Sequence, residues 1–192
     1  MANADVPRGL VPVRYLSGAP YNGAVNHYST ATGDNVAIFI GDPVILSGTS
    51  STINGQVYAD VDQAATTDVM VGVVVGVMPA TSDSLMHRAA STARILLVAD
   101  DPNLLFEIQE VSGGTPLAIA DIGLNAAFVV GTGNATTGLS GVELNNSGEG
   151  TGNTLDLKIV GFQNRPDNEV GEHAKWLVRI NRHQYVDLKA GI

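Results

Sequence analysis

Residues 69–78 read Val-Met-Val-Gly-Val-Val-Val-Gly-Val-Met. The run is apolar and mostly β-branched, with no polar alternation. Such a run is a strand buried on both faces, and it falls far short of the roughly 20 residues a membrane-spanning helix needs. Gly72 and Gly76 are four apart, so in an extended chain they share a face. Glycines there mark a bend, a bulge or the close approach of another backbone. Shorter apolar or alternating runs recur at 10–16, 24–30, 36–40, 44–46, 56–61, 92–99, 104–110, 126–130, 155–162 and 176–180. Gly, Pro, Asn, Asp, Ser and Thr punctuate them. The pattern predicts an all-β fold, a small barrel or sandwich of about ten to twelve short strands with little helix.

The 192 residues suit one domain. Residues 1–16 are expected to form an extended N-terminal arm and edge strand, because Pro7 and Gly9 deny them helix and Pro12 suits a sheet edge. Residues 17–192 are expected to form a single β-rich domain. The Gly/Thr/Asn-rich segment 131–152 is expected to be a flexible loop, and the Ser/Thr-rich segment 47–55 another loop. Residues 80–90 are the best candidate for a short helix or lid. Thr115 and Pro116 suit the N-cap and first position of a helical turn over 115–122.

Charge narrows the function classes. Ten Lys and Arg face nineteen Asp and Glu, for a net charge of −9. Nucleic-acid binding needs a basic stripe to displace counterions, so no nucleic-acid partner is expected. The basic residues gather only at Lys175, Arg179, Arg182 and Lys189. The polar start of the chain does not resemble a secretion signal, and no membrane partner is expected. With 15% charged residues, the surface must be largely Ser, Thr, Asn and Gly, with apolar area left over for assembly contacts. The absence of cysteine excludes a disulfide scaffold and a thiol nucleophile.

No motif points to catalysis, and no cofactor is expected. Gly133 and Gly138 have the spacing of a phosphate loop, but Leu139 stands where the lysine belongs. His27, His87, His173 and His183 form no ligand pair, so no metal centre is expected. Asp60 and Asp62 share a strand face and suit calcium only if loops add oxygens. Asp100 and Asp101 read first as turn residues. Ser140 lies in Gly-Leu-Ser-Gly, not in a nucleophile elbow. Trp176, Val178 and Ile180 share one face of a strand, with Lys175, Leu177 and Arg179 on the other. Trp176 reads as a core aromatic or as an interface anchor.

Several segments resemble one family. They are Gly9-Leu10-Val11-Pro12-Val13-Arg14-Tyr15-Leu16, Pro20-Tyr21-Asn22-Gly23 and Phe39-Ile40-Gly41-Asp42-Pro43-Val44. To these add Leu97-Val98-Ala99-Asp100-Asp101-Pro102, Phe106-Glu107-Ile108-Gln109-Glu110, Arg165-Pro166-Asp167-Asn168-Glu169 and Trp176-Leu177-Val178-Arg179-Ile180-Asn181. Together they resemble the head-decoration (cement) proteins of tailed bacteriophages with HK97-type capsids, and the resemblance fades over 131–152. It implies a non-enzymatic virion protein on the outer capsid surface, made in the host cytoplasm. Its expected partners are the major capsid protein and itself, as a homotrimer. The expected contact residues are Val11, Val13, Arg14, Tyr15, Trp176 and Arg179. On this reading, deleting residues 1–16 leaves a folded core. The alternatives are a tail or head-completion protein and a surface carbohydrate-binding β module.

Overall fold

The computed structural model describes residues 3–186. Twelve strands and one short 3-10 turn make up the regular structure. The strands are β1 (Val11–Tyr15), β2 (Asn26–Ser29), β3 (Pro43–Ile53), β4 (Gln56–Gln63), β5 (Gly72–Val77) and β6 (Ile95–Ala99). Then follow β7 (Leu104–Gln109), β8 (Asn125–Ala126), β9 (Phe128–Val129), β10 (Glu143–Leu144), β11 (Leu157–Phe162) and β12 (Lys175–Ile180). The all-β expectation holds, and both a barrel and a sheet are present. Strands β2-β4-β3-β5-β6 close into a barrel, while β1-β7-β12-β11-β8 form an antiparallel sheet. Strands β9 and β10 pair separately.

The apolar run 69–78 is explained by two cores. Val71 and Val74 face a barrel core with Tyr28, Ile38, Val44, Val61, Leu96 and Val98. Met70 and Val73 face a larger core with Leu10, Phe106, Phe128, Leu157, Trp176 and Val178. One strand is thus the shared wall of both, so neither of its faces is polar. Gly72 lets the β6 backbone approach: a Cβ there would stand 2.5 Å from the Ala99 carbonyl oxygen. Gly76 sits at a bulge against β6, where the register shifts. The Asp100–Asn103 turn carries the chain from barrel to sheet, with Asp101 Oδ1 accepting the Asn103 N–H at 2.7 Å.

Local expectations failed where tertiary partners override local chemistry. The Ser/Thr segment 47–55 is mostly strand: β3 runs on to Ile53, and the reversal is Asn54-Gly55 at φ 52° and 80°. Left-handed values at both positions are what a tight two-residue hairpin turn requires. Residues 36–40 form no strand, only isolated bridges from Ile38 to Arg88 and from Ile40 to Leu139. Residues 80–90 form no helix. There the fully buried Arg88 guanidinium binds Asp34 Oδ2 at 2.7 Å and the Ala31 carbonyl at 2.7 Å, which commits the chain to a loop. The helical turn is Ile119–Asp121, begun at Ala118 rather than Thr115.

The middle of segment 131–152 is packed, while residues 134–137 and its end are exposed. It contains β10 and buries Ser140, Val142, Leu144 and Asn146. Its glycines serve close packing: a Cβ on Gly131 would overlap the Gly141 carbonyl, and one on Gly133 the Phe39 ring. The N-terminal segment is not a free arm either. Asn3 donates to the Glu169 and Glu172 carbonyls at 2.8 and 2.9 Å. The Val6 N–H donates to Gln109 Oε1 at 2.9 Å, and Arg8 pairs with Glu107 at 3.4 Å. Residues 3–9 thereby cover the polar face of β7, and all six residues of β7 are buried.

Candidate functional site

An apolar groove of about 340 Å³ opens at the seam between barrel and sheet. Leu10 and Val11 supply one wall, Val74 and Val75 the other, with Pro12, Tyr21, Ile40, Gly41 and Leu139 completing it and Arg8 on the rim. Backbone bonds fix its shape. The Leu10 N–H donates to the Gly41 carbonyl at 2.9 Å, and the Gly41 N–H to the Val74 carbonyl at 2.7 Å. The Tyr21 hydroxyl donates to the Ala24 carbonyl at 3.0 Å, and burial pushes its pKa up. The groove offers apolar contact, one cation and one neutral phenol. That chemistry suits docking of an apolar segment.

The expected contact residues divide. Val11 lines the groove. Val13, Arg14 and Tyr15 lie on β1, which is an edge strand of the sheet. Its outer side is already used by the chain itself: Tyr15 N–H donates to the Ala19 carbonyl at 2.8 Å, and Tyr21 N–H to the Val13 carbonyl at 3.1 Å. Addition of β1 to a strand of another protein would have to displace those bonds. Trp176 and Arg179 belong to β12, separated from β1 by β7. Trp176 is 0% exposed and its Nε1–H donates to Glu110 Oε2 at 2.9 Å, so it is a core residue and not a surface anchor. Arg179 is half-buried on the other face, its Nε–H donating to the Pro102 carbonyl at 2.8 Å. Of the remaining basic residues, Arg182 holds the Thr67 carbonyl, and Lys189 lies outside the described residues.

The buried polar groups tie segments together. Glu110 accepts from Trp176, the Leu117 N–H at 2.9 Å and Asn146 at 3.2 Å. Burial still pushes its carboxyl above the usual range, against those bonds. Ser140 donates to Asp42 Oδ1 at 2.5 Å and accepts the Val142 N–H at 2.9 Å. Asp42 also accepts the Phe39 N–H and Gln63, each at 2.8 Å, and burial raises its pKa. Ser140 therefore faces a carboxylate, not a histidine base. Asp60 accepts hydroxyls from Ser29, Thr49 and Ser51 at 2.5, 3.0 and 3.0 Å. Those donors use its oxygens, which leaves the calcium pairing with Asp62 without support.

One cluster escaped sequence reasoning. Asp5, Glu143 and His173 bring ligand atoms within 4.8 Å of one another. They come from the arm, β10 and the loop before β12, so no spacing could reveal them. The Gln109 Nε2 occupies the middle, donating to Asp5 and Glu143 at 2.9 Å each. This amide satisfies both carboxylates and makes the cluster a clasp for the arm. Compared with known proteins, the chain matches no family model, no curated protein and no solved structure.

Proposed function

We propose that the protein is a structural virion component, a capsid-decoration protein that uses the barrel–sheet groove to hold an apolar segment of the major capsid protein. The resemblance described above supplies the class. One observation connects it to the structure: three of the resembling segments meet at the groove. Leu10, Val11 and Pro12 come from the first, Tyr21 from the second, and Ile40 and Gly41 from the third, six of the ten lining residues. Segments that carry a shared pattern and converge on one open apolar surface fit a contact held in common.

The physical case is also mechanical. A protein that resists internal DNA pressure adds buried area between capsid subunits, and apolar surface supplies about 25 cal/mol per Å² buried. Exposed Met78, Leu85 and Met86 offer apolar area outside the groove for contact between copies of a homotrimer. Val75→Asp places a charge on the groove wall at a half-buried position. Occupancy of the variant on expanded capsids, measured by co-sedimentation, should fall at least tenfold while its circular dichroism stays unchanged. Undiminished occupancy would remove the groove from the proposal. Cryo-EM separates decoration from a tail or head-completion role by copy number and position. A glycan array tests the carbohydrate-binding alternative.

A further inference from the structure

The outer face of the five-stranded sheet gathers positive charge in one row. Trp176, Val178 and Ile180 turn to the core, so Lys175, Leu177 and Arg179 turn away from it. Ladder register aligns Arg14 of β1, Leu105 of β7, Arg179 of β12 and Lys158 of β11 across that face. Adjacent strands lie about 4.8 Å apart, so the row spans about 14 Å. Like charges directly opposite, as Arg179 and Lys158 are, destabilise a ladder. Among the described residues, none of the three cations lies within ion-pair distance of a carboxylate. In the turn before β7, the Asp100 carboxylate is held by Asn26 and Tyr28, and that of Asp101 accepts the Asn103 N–H.

The other end of the same face is acidic. Lys175, about 13 Å back along β12 from Arg179, pairs with Gln109, and Gln109 holds the Asp5 carboxylate at 2.9 Å. Asn3 donates to the Glu169 and Glu172 carbonyls, which seats the loop 165–173 against the N-terminal segment. Together they expose Asp5, Asp167, Glu169 and Glu172. Of the cations at this end, Arg8 and Arg165 both bind the buried Glu107 carboxylate, at 3.4 and 3.0 Å. Each end also shows exposed apolar side chains: Leu16 next to Arg14, and Val6 and Val170 among the acids.

We propose that this face docks onto a second copy of the chain, with Asp5, Asp167, Glu169 and Glu172 of each copy lying on the Arg14–Arg179–Lys158 row of the other. A face that is basic at one end and acidic at the other complements itself when turned end for end. A two-fold axis then makes the contact twice. Charge selects the partner. The chain carries −9, so copies repel in most orientations, whereas this one sets opposite charges against each other. The same net charge disfavours a nucleic acid, whose dense phosphates would meet only three cations in the row. The contact does not rest on the capsid reading, since none of the charged residues that would meet lines the groove.

Sedimentation velocity on the full chain tests this. The chain should form dimers, and their affinity should fall about tenfold between about 50 and about 500 mM salt, as exposed charges are screened. Arg14→Glu combined with Lys158→Glu should weaken association about tenfold or more, because a two-fold contact counts each change twice. Asp167→Lys combined with Glu172→Lys should do the same. An equal mixture of these two double variants should associate again, as heterodimers, and a contact between the two ends is what restores it. Circular dichroism checks that each variant is folded, and Arg14→Gln with Lys158→Gln repeats the measurement if the glutamate pair folds poorly. A monomer at both salts up to millimolar protein overturns the proposal. So does association that neither salt nor these substitutions change, such as a trimer held by apolar contacts. A gel shift of a short DNA duplex that Arg14→Glu abolishes would assign the row to nucleic acid and overturn it as well.

Discussion

Gly72→Ala and Gly76→Ala form a paired test of the shared wall. Both residues lie in β5, and neither has a left-handed φ. At Gly72 a Cβ would meet the Ala99 carbonyl oxygen at 2.5 Å, a Val98 methyl at 2.8 Å and the Asp100 Cα at 2.9 Å. Ordinary contact begins at 3.4 Å, so the β6 backbone would have to retreat by 3.4 − 2.5, or about 0.9 Å. It cannot retreat freely, because β2 pairs with its other side from Asn26–Val98 to Ser29–Ile95 and closes the barrel. Overpacking of this kind costs about 1–3 kcal/mol, and the upper end applies where backbone must move. Loss of the glycine's unfolded-state entropy returns about 0.5–1 kcal/mol. The net expectation is a loss of about 2 kcal/mol, or about 6 °C in thermal midpoint for a chain of this size. At Gly76 the nearest atom is the Leu97 Cδ1 at 3.1 Å, the end of a side chain that can rotate. There the two effects cancel to within about 0.5 kcal/mol. Urea denaturation with an unchanged slope measures both. Equal stabilities for the two variants would refute the close-approach argument.

Three further outcomes are expected. Trp176→Phe removes the donor to Glu110 and part of a fully buried ring, costing about 2–4 kcal/mol in urea denaturation; a loss below 1 kcal/mol would return Trp176 to the surface. Deletion of residues 1–16 removes β1 and Leu10, which is 1% exposed, and should abolish cooperative unfolding rather than leave a stable core; deletion of residues 1–4 should be tolerated within about 1 kcal/mol. For Asp42, Glu110 and Asp156, burial raises the folded-state pKa, so their contribution to stability is full below the unfolded value and is lost as pH rises through the folded one. His87 and His183 are lowered by burial and work oppositely, with stability present above 6.5 and lost as pH falls through their folded values. Asp42→Asn keeps the shape of the site, so the stability of the wild type relative to this variant should grow as pH falls from about 7 to about 4; a pH-independent difference would count against a buried carboxyl.

Much of the fold was legible because it rests on local periodicity. The strands at 104–110, 155–162 and 176–180 alternate or run apolar, and they appear as β7, β11 and β12 with only small boundary changes. The hairpin of β3 and β4 was misjudged although its signal was present. Asn54-Gly55 is a strong two-residue turn, but the Ser/Thr composition around it argued for a loop. Segment 131–152 misled for a related reason. Glycine there permits contact between backbones, as at Gly131 and Gly141, and composition alone does not separate that from flexibility. The Asp5–Glu143–His173 clasp lay beyond reach for a different reason. It joins residues that only the tertiary fold brings together, and Trp176 reads the same from the sequence whether its strand faces a core or a partner.

The shared wall also bears on what the seam can do. Val73 and Val74 point into different cores, so β5 cannot shift toward one without opening the other. The two units share this strand, and two of their further links lie at its margins. One is the contact of Leu10 with Gly41, beside the groove. Another is the pairing of residues 182–184 with Met70. A ligand in the groove therefore braces a margin rather than the centre. Under the proposed capsid role, that is where load would act, because a segment held in the groove pulls on Leu10 and Val75 together. Amide hydrogen exchange distinguishes the cases. Capsid binding should slow exchange at Leu10 and Gly41, and protection of the β5 amides should change least. If instead β5 gained the most protection, the two units would be loosely joined in the free protein, and the rigid-wall argument would fail.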